Sequence, residues 1–209
     1  RQHHDRFELF RDFEGAPSSY TQHNYHLTDV TGGKLDASVA NSWGKITLGI
    51  EERNEHIFST VLGNEMNQTK ADPYESGIKF NRSANRLLGT AFFDYAINFE
   101  QWYVSAGAAV SHTVAFGTNP YGGFDIAYYP NGKTKIFFSS NTAVRLPTFT
   151  DLYYQSPTQS SNPNLKPEHS TTWELGTTIQ QKRWQADATT YYRKGKNIID
   201  WVKEPDSTK

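Results

Sequence analysis

Along most of this chain apolar and polar positions alternate with a period of two, which sends successive side chains to opposite faces of a β-strand. In 101–111, Trp102, Val104, Ala106, Ala108 and Val110 share one face, and Gln101, Tyr103, Ser105, Gly107, Ala109 and Ser111 share the other. The stretch before it sets Leu87, Ala91, Phe93, Tyr95, Ile97 and Phe99 against Thr90, Asp94 and Asn98. Ile46, Leu48 and Ile50 oppose Thr47, Gly49 and Glu51, and Trp173, Leu175 and Ile179 oppose Glu174, Gly176 and Gln180. Trp184, Ala186 and Ala188 likewise oppose Gln185, Asp187 and Thr189. Each predicted strand has one greasy and one polar face, and helical periodicity is almost absent.

The connections alternate in length. Short turns are expected at 42–45, 98–101, 130–133 and 181–184, with Asn131-Gly132 the strongest hairpin signal. Longer segments rich in Pro, Asn, Ser and Thr occupy 13–24, 59–82 and 146–169, with a shorter link at 117–120. Tight turns at one end and long loops at the other describe an all-β, antiparallel up-and-down meander of about nine strands, as in outer-membrane barrels. Trp43, Phe99, Trp102 and Trp184 flank the short turns, where they would form an aromatic girdle. A soluble β-sandwich that binds carbohydrate, with its aromatics in the core, is the alternative this pattern leaves open.

Composition narrows the choice. The chain has 209 residues, 21 Lys plus Arg against 22 Asp plus Glu, and a mean hydropathy of -0.72. It lacks the basic excess of a nucleic-acid-binding domain. Without Cys there is no disulfide framework, thiolate zinc site or cysteine nucleophile. No apolar stretch is long enough for a transmembrane helix, nothing near Arg1 reads as a signal peptide, and the chain opens without Met, as if mid-protein.

No catalytic motif survives inspection. Gly132-Lys133-Thr134 imitates the end of a phosphate-binding loop, but Ala127 stands where the first Gly is required and a strand follows. His3-His4 and His23-x-x-His26 lack a third metal ligand at fixed spacing. Glu51, Glu55, Asp94 and Asp187 fall on polar faces, as expected for a water-filled or plugged lumen. No cofactor or metal is called for.

The segment from Asn141 through Arg145-Leu-Pro-Thr-Phe-Thr-Asp151-Leu-Tyr-Tyr154, then Asn162-Pro-Asn-Leu-Lys-Pro-Glu168 and Thr172-Trp-Glu-Leu-Gly176, resembles the β-barrel domain of TonB-dependent outer-membrane receptors. The stretches 5–11, 23–26 and 53–56 also look like cobalamin-receptor-like members. The resemblance covers essentially the whole chain, yet the family barrel has about 22 strands. The expectation is a fragment, residues 1–209, without the N-terminal plug, the TonB-contacting segment or the final barrel strand.

That resemblance implies energised import of a scarce, bulky nutrient, cobalamin or an iron-siderophore, with TonB, the plug domain and outer-membrane lipid as partners and no nucleic acid. A passive porin or autotransporter barrel is the other membrane alternative. Pro147 should end the strand that precedes it, so the motif reads as a loop organiser, with Arg145, Asp151 and Glu168 positioning more than binding. Candidate ligand contacts near the extracellular strand ends are Arg53, Glu55, Arg145, Tyr153, Tyr154, Tyr191 and Arg193. Arg and aromatic side chains supply the contact area and charge-assisted hydrogen bonds that hold a bulky polar ligand.

Overall fold

The computed structural model describes residues 1–8, 10, 12, 14–20, 23–156 and 159–202. Leu9 and Arg11 of the first cobalamin-receptor-like stretch lie outside the described residues, as do Phe13, Thr21 and Gln22 of the first expected loop and Pro157 and Thr158 of the last.

The strands are β1 (Gln2–Phe7), β2 (Asn24–Asn41), β3 (Gly44–Ser59), β4 (Asn64–Ala71), β5 (Lys79–Phe99), β6 (Trp102–Thr113), β7 (Gly117–Asn131) and β8 (Thr134–Arg145). A short helix, α1 (Phe149–Tyr153), and the two-residue strands β9 (Gln155–Ser156) and β10 (Gln159–Ser160) precede β11 (Glu168–Gln180) and β12 (Gln185–Lys196). One antiparallel sheet runs in the order β1-β2-β3-β5-β6-β7-β8-β11-β12, with β4 paired to β5, so chain neighbours are spatial neighbours throughout the meander. All four expected short turns join strands, and Pro147 lies just beyond the end of β8.

Register turns the alternation into two continuous faces. Val39, Ile46, Tyr95, Ala106 and Phe124 are successive cross-strand partners, as are Leu35, Ile50, Ala91 and Val110, and Ile97, Val104, Ile126, Phe138 and Leu175. Their face holds the exposed Leu48 at 57%, Phe93 at 41% and Leu175 at 53%. Among the described residues the second sheet is only the two-residue pair β9–β10, too small to cover this face, so a sandwich core is not built here; lipid is the solvent that suits such a belt. Trp43, Phe99, Trp102 and Trp184 all stand exposed beside the turns, and Trp102 packs on Tyr128 with ring centroids 4.6 Å apart.

The opposite, inner face is polar, with Asp94 beside Gly107, Thr178 donating to Asp187 at 2.7 Å and Ser105 donating to Asp125 at 3.2 Å. Two aromatic rings also lie on it, each over the glycine directly opposite: Phe92 over Gly49 and Phe137 over Gly176. A Cβ at either glycine would enter the ring, so the pairs act as fitted units.

Three sequence expectations are corrected. The link expected at 117–120 lies in β7; the turn is residues 114–116, closed by Gly117 at φ +66° and by a hydrogen bond from the Phe116 amide to Thr113. Pro120 is tolerated in the strand because its neighbour along that edge, Gly122, directs its amide and carbonyl to the Thr142 hydroxyl on the β8 side, where no ladder reaches Pro120. The long segment 59–82 is largely strand, since β4 pairs with the upper end of β5. The strand read from Leu87 starts at Lys79, where polar residues hide the period.

Candidate functional site

The long-loop end of the sheet is uneven. β3 and β5 reach up to Ser59 and Lys79, while β6 and β7 between β5 and β8 close earlier at 114–116. Over this low hairpin lie the described residues of the segment 146–167, and the motif residues hold them there.

At its base, the Arg145 guanidinium gathers three groups. Its Nε and Nη2 lie 3.1 and 3.0 Å from Glu168 Oε2, its Nη1 lies 3.5 Å from Asp151 Oδ2, and Nη2 also donates to the Ile199 carbonyl at 3.3 Å. Asp151 completes a capping box with Thr148: the Thr148 amide donates to the carboxylate at 2.9 Å, and the Asp151 amide donates to the Thr148 hydroxyl at 3.1 Å. This starts a five-residue helix that is too short to be stable alone. Asn162 closes the return with its amide on the Asp151 carbonyl, at 3.3 Å, and Asn197 donates to the Pro167 carbonyl at 3.1 Å.

At the far side, Arg86 of β5 receives the loop. It donates from Nη1 to the Pro147 carbonyl at 2.7 Å, from Nε to Glu55 Oε2 at 3.1 Å, and its guanidinium sits 5.3 Å from the Phe149 ring centroid. Glu55 and Arg86 are direct cross-strand partners on the inner face, both largely buried, and Arg53 Nη2 holds the other Glu55 oxygen at 2.8 Å. Next to this ion cluster, Ile57, Leu62 and Ala84 form a buried apolar seat for Phe149, Tyr153 and Tyr154. The Leu62 and Val61 amides both donate to the Ser59 hydroxyl, which bends residues 60–63 across the inner face. An open pocket of about 550 Å³ lies beside the loop, bounded by Phe116, Tyr153, Leu165, Lys166, His169 and Asn197.

The structure thus brings Arg53, Glu55, Tyr153 and Tyr154 into one assembly and puts Arg145 at its hinge. Tyr153 and Tyr154 belong to α1 and its cap rather than to a strand end. Tyr191 and Arg193 stand apart on the inner face of β12, where Arg193 donates to the Ser170 hydroxyl at 3.0 Å and Tyr191 is 72% exposed opposite Glu174. Arg86, Phe149 and Ile57 are not among the candidate contacts read from the sequence, although Phe149 lies within the quoted motif. Extending the alternation back by one residue from Leu87 places Arg86 on the polar face, but its pairing with Glu55 depends on a register that the sequence does not display.

Of the paired histidines, His4 serves a second loop contact. His4 Nε2 lies 2.8 Å from Asp72 Oδ2, and Asp72 Oδ1 also accepts from the Tyr74 and Glu75 amides at 2.8 and 3.3 Å. Those amides and His4 hold the Asp72 carboxyl below its ordinary pKa, although burial, the largest single influence, acts the other way. The segment 72–78 packs beside the buried Tyr25, Leu27 and Phe80.

A single sheet with an uncovered apolar belt, a polar inner face, tight turns at one end and packed loops at the other is the wall of a transmembrane β-barrel. The chain belongs to the TonB dependent receptor-like β-barrel family, whose model matches residues 1–208. Its place is the outer membrane of Gram-negative bacteria.

Among curated proteins it is 27% identical over 191 residues to the vitamin B12 transporter BtuB of Photobacterium profundum, covering 88% of this chain and 29% of that protein. Its identity to BtuB of Vibrio vulnificus is 32% over 107 residues, covering 50% of this chain and 17% of that protein. Among solved structures, the siderophore receptor PirA of Acinetobacter baumannii superposes with a TM-score of 0.66 at 17% identity, over 93% of this chain and 31% of that one. A ferric enterobactin receptor (PfeA) mutant of Pseudomonas aeruginosa gives 0.63 at 17%, over 84% and 27%. The chain spans less than a third of each of these relatives.

Proposed function

We propose that this chain forms part of the wall and mouth of a TonB-driven importer that captures a scarce, bulky nutrient outside the outer membrane, cobalamin before an iron-siderophore. The observation that carries the reading is the match of the family model to residues 1–208, joined to a mouth whose loop is clasped over the inner face. Cobalamin comes first because both similar curated proteins are vitamin B12 transporters; the siderophore receptors share the fold at low identity.

In this reading the polar inner face meets a plug domain of the same full-length protein, and TonB acts through that plug. Arg53, Tyr153 and Tyr154 at the mouth, with Arg145, Tyr191 and Arg193 around it, supply hydrogen bonds and ring surface to the nutrient, while Glu55 fixes Arg53. The chain needs no bond-breaking step of its own.

The test is uptake in a Gram-negative strain lacking its own cobalamin and siderophore receptors, complemented with the full-length gene. TonB-dependent accumulation of labelled cobalamin is the expected result. Accumulation that persists without TonB would overturn the energised reading in favour of a passive pore, and iron-siderophore uptake alone would move the substrate assignment.

A further inference from the structure

The lipid-side face of the last hairpin carries positive charge that, among the described residues, no acidic group meets. Pairing sets Trp173 against Tyr192, Thr171 against Lys194 and His169 against Lys196. The two lysines and His169 therefore share the face of the exposed Leu175 and of the stacked Trp173 and Tyr192 rings, whose centroids are 5.7 Å apart. Among the described residues neither Lys194 nor Lys196 has an ion-pair partner. The nearby acids Glu168 and Glu174 point to the inner face, and Glu168 is held by Arg145.

Their height along the strand follows from the girdle. Trp184 marks the turn end of β12, and Lys194 follows it by the roughly 9–11 residues that a tilted strand needs to cross the hydrocarbon layer. Counted the same way from Trp43, Phe99 and Trp102, that boundary falls near Glu52, Gly89 and His112, which form one cross-strand row. The boundary is thus lysine-rich at β12 and not elsewhere along these strands, so the charge is a local feature. Alternate residues of a strand lie about 6.5–7 Å apart, so one phosphate can engage both ammonium groups while the lysine stems stay against the belt.

We propose that Lys194 and Lys196, with His169 beside them, bind the phosphates of the phosphorylated saccharide lipid that forms the outer leaflet of this membrane. The inference rests on the outer-membrane reading, and both can fail separately. The experiment uses the full-length receptor purified in mild detergent, titrated with bisphosphorylated lipid A, its dephosphorylated form or phosphatidylglycerol, with bound lipid counted by native mass spectrometry. Lys194→Gln with Lys196→Gln should lower lipid A retention at least about fivefold, while Lys182→Gln with Arg183→Gln, at the opposite end of the hairpin, should not. Equal retention by the Lys194/Lys196 variant, an equal loss in the Lys182/Arg183 variant, or equal retention of the dephosphorylated lipid or phosphatidylglycerol would overturn the proposal. Heat-shifted migration of each variant verifies the folded barrel; a receptor absent from the outer membrane would instead refute the parent reading.

Discussion

Arg86 of β5 donates from Nη1 to the main-chain carbonyl of Pro147, 2.7 Å away, and so ties together two parts of the chain that the sheet keeps apart by the β6–β7 hairpin. The same guanidinium neutralises Glu55 and faces the Phe149 ring. Arg86→Ala removes all three contacts, while Glu55 keeps Arg53 as a partner. The expected cost is about 2–3 kcal/mol of loop stability, below that of breaking an isolated buried pair. Because the chain has no native Cys, Leu152→Cys on the buried side of α1 reports the release directly. Its maleimide labelling should rise more than about tenfold in the Arg86→Ala background. Unchanged labelling would show that the apolar seat alone holds the loop.

Arg145 is half exposed, so its ion pairs are screened, and its value lies in geometry. One planar fork meets Glu168, Asp151 and the Ile199 carbonyl at once, which a lysine ammonium cannot reproduce. Arg145→Ala and Arg145→Lys should both loosen the segment by about 1 kcal/mol, read as faster proteolytic clipping within 146–167. Full protection in Arg145→Lys would show that charge alone suffices.

How much of this was legible in the sequence depends on what each feature needs. A half-wetted strand announces itself by its period, so β3, β6 and β11 could be read from residues such as Ile46, Val104 and Leu175, and Pro147 marks the end of β8 because it has no amide to give. The start of β5 could not be read: Lys79, Asn81, Arg82 and Ser83 are polar on both parities, because there both faces carry loops or water instead of lipid. The loop organiser is legible as a motif, because Pro147 ends the strand and the family resemblance marks Arg145, Asp151 and Glu168. Arg145 meets Glu168, 23 residues on, only through the register of β8 on β11. Arg86 is different. Its partners lie 31 and 61 residues away in sequence, so only the register of β3 on β5 and the inward fold of the loop reveal it.

Asp72 gives the 72–78 contact a pH dependence with a fixed sign. Its carboxyl is held below the ordinary range of about 3.9, so its contribution is fully present above that value and is lost as pH falls through the lower folded-state value. Protection of the Tyr74 and Glu75 amides, which donate to Asp72, measured as hydrogen exchange relative to the intrinsic rate at each pH, should stay high near neutral pH and fall in the acid range below about 4. Asp72→Asn should exchange faster at neutral pH and lose most of that acid dependence. An acid dependence retained in Asp72→Asn would assign it to another group.

Gly176 tests the fitted ring-over-glycine pairs. A Cβ there would come within 2.5 Å of the Phe137 ring and 2.8 Å of the Thr189 hydroxyl, so it is hemmed in by both neighbouring strands. Gly176→Val should cost about 2–3 kcal/mol and lower the temperature at which the full-length barrel loses its compact migration. Gly176→Val with Phe137→Ala should recover part of that loss, because the ring is the main obstacle. No recovery would place the strain in the backbone or at Thr189.

Neighbouring positions on β3 separate the two faces most sharply. Leu48 lies on the belt face, 57% exposed between Ala37 and Phe93, whereas Thr47 points to the inner face between Ser38 and Asp94. A charge near the middle of the lipid-facing band costs about 2–4 kcal/mol, and one in a wet lumen costs little. Leu48→Arg should therefore reduce the amount of heat-shifting receptor in the outer membrane several-fold. Thr47→Arg, which gains Asp94 as a neighbour, should assemble at close to the normal level. Equal tolerance of both substitutions would mean that the belt does not face lipid, and equal failure would mean that the inner face at this depth is packed instead of wet.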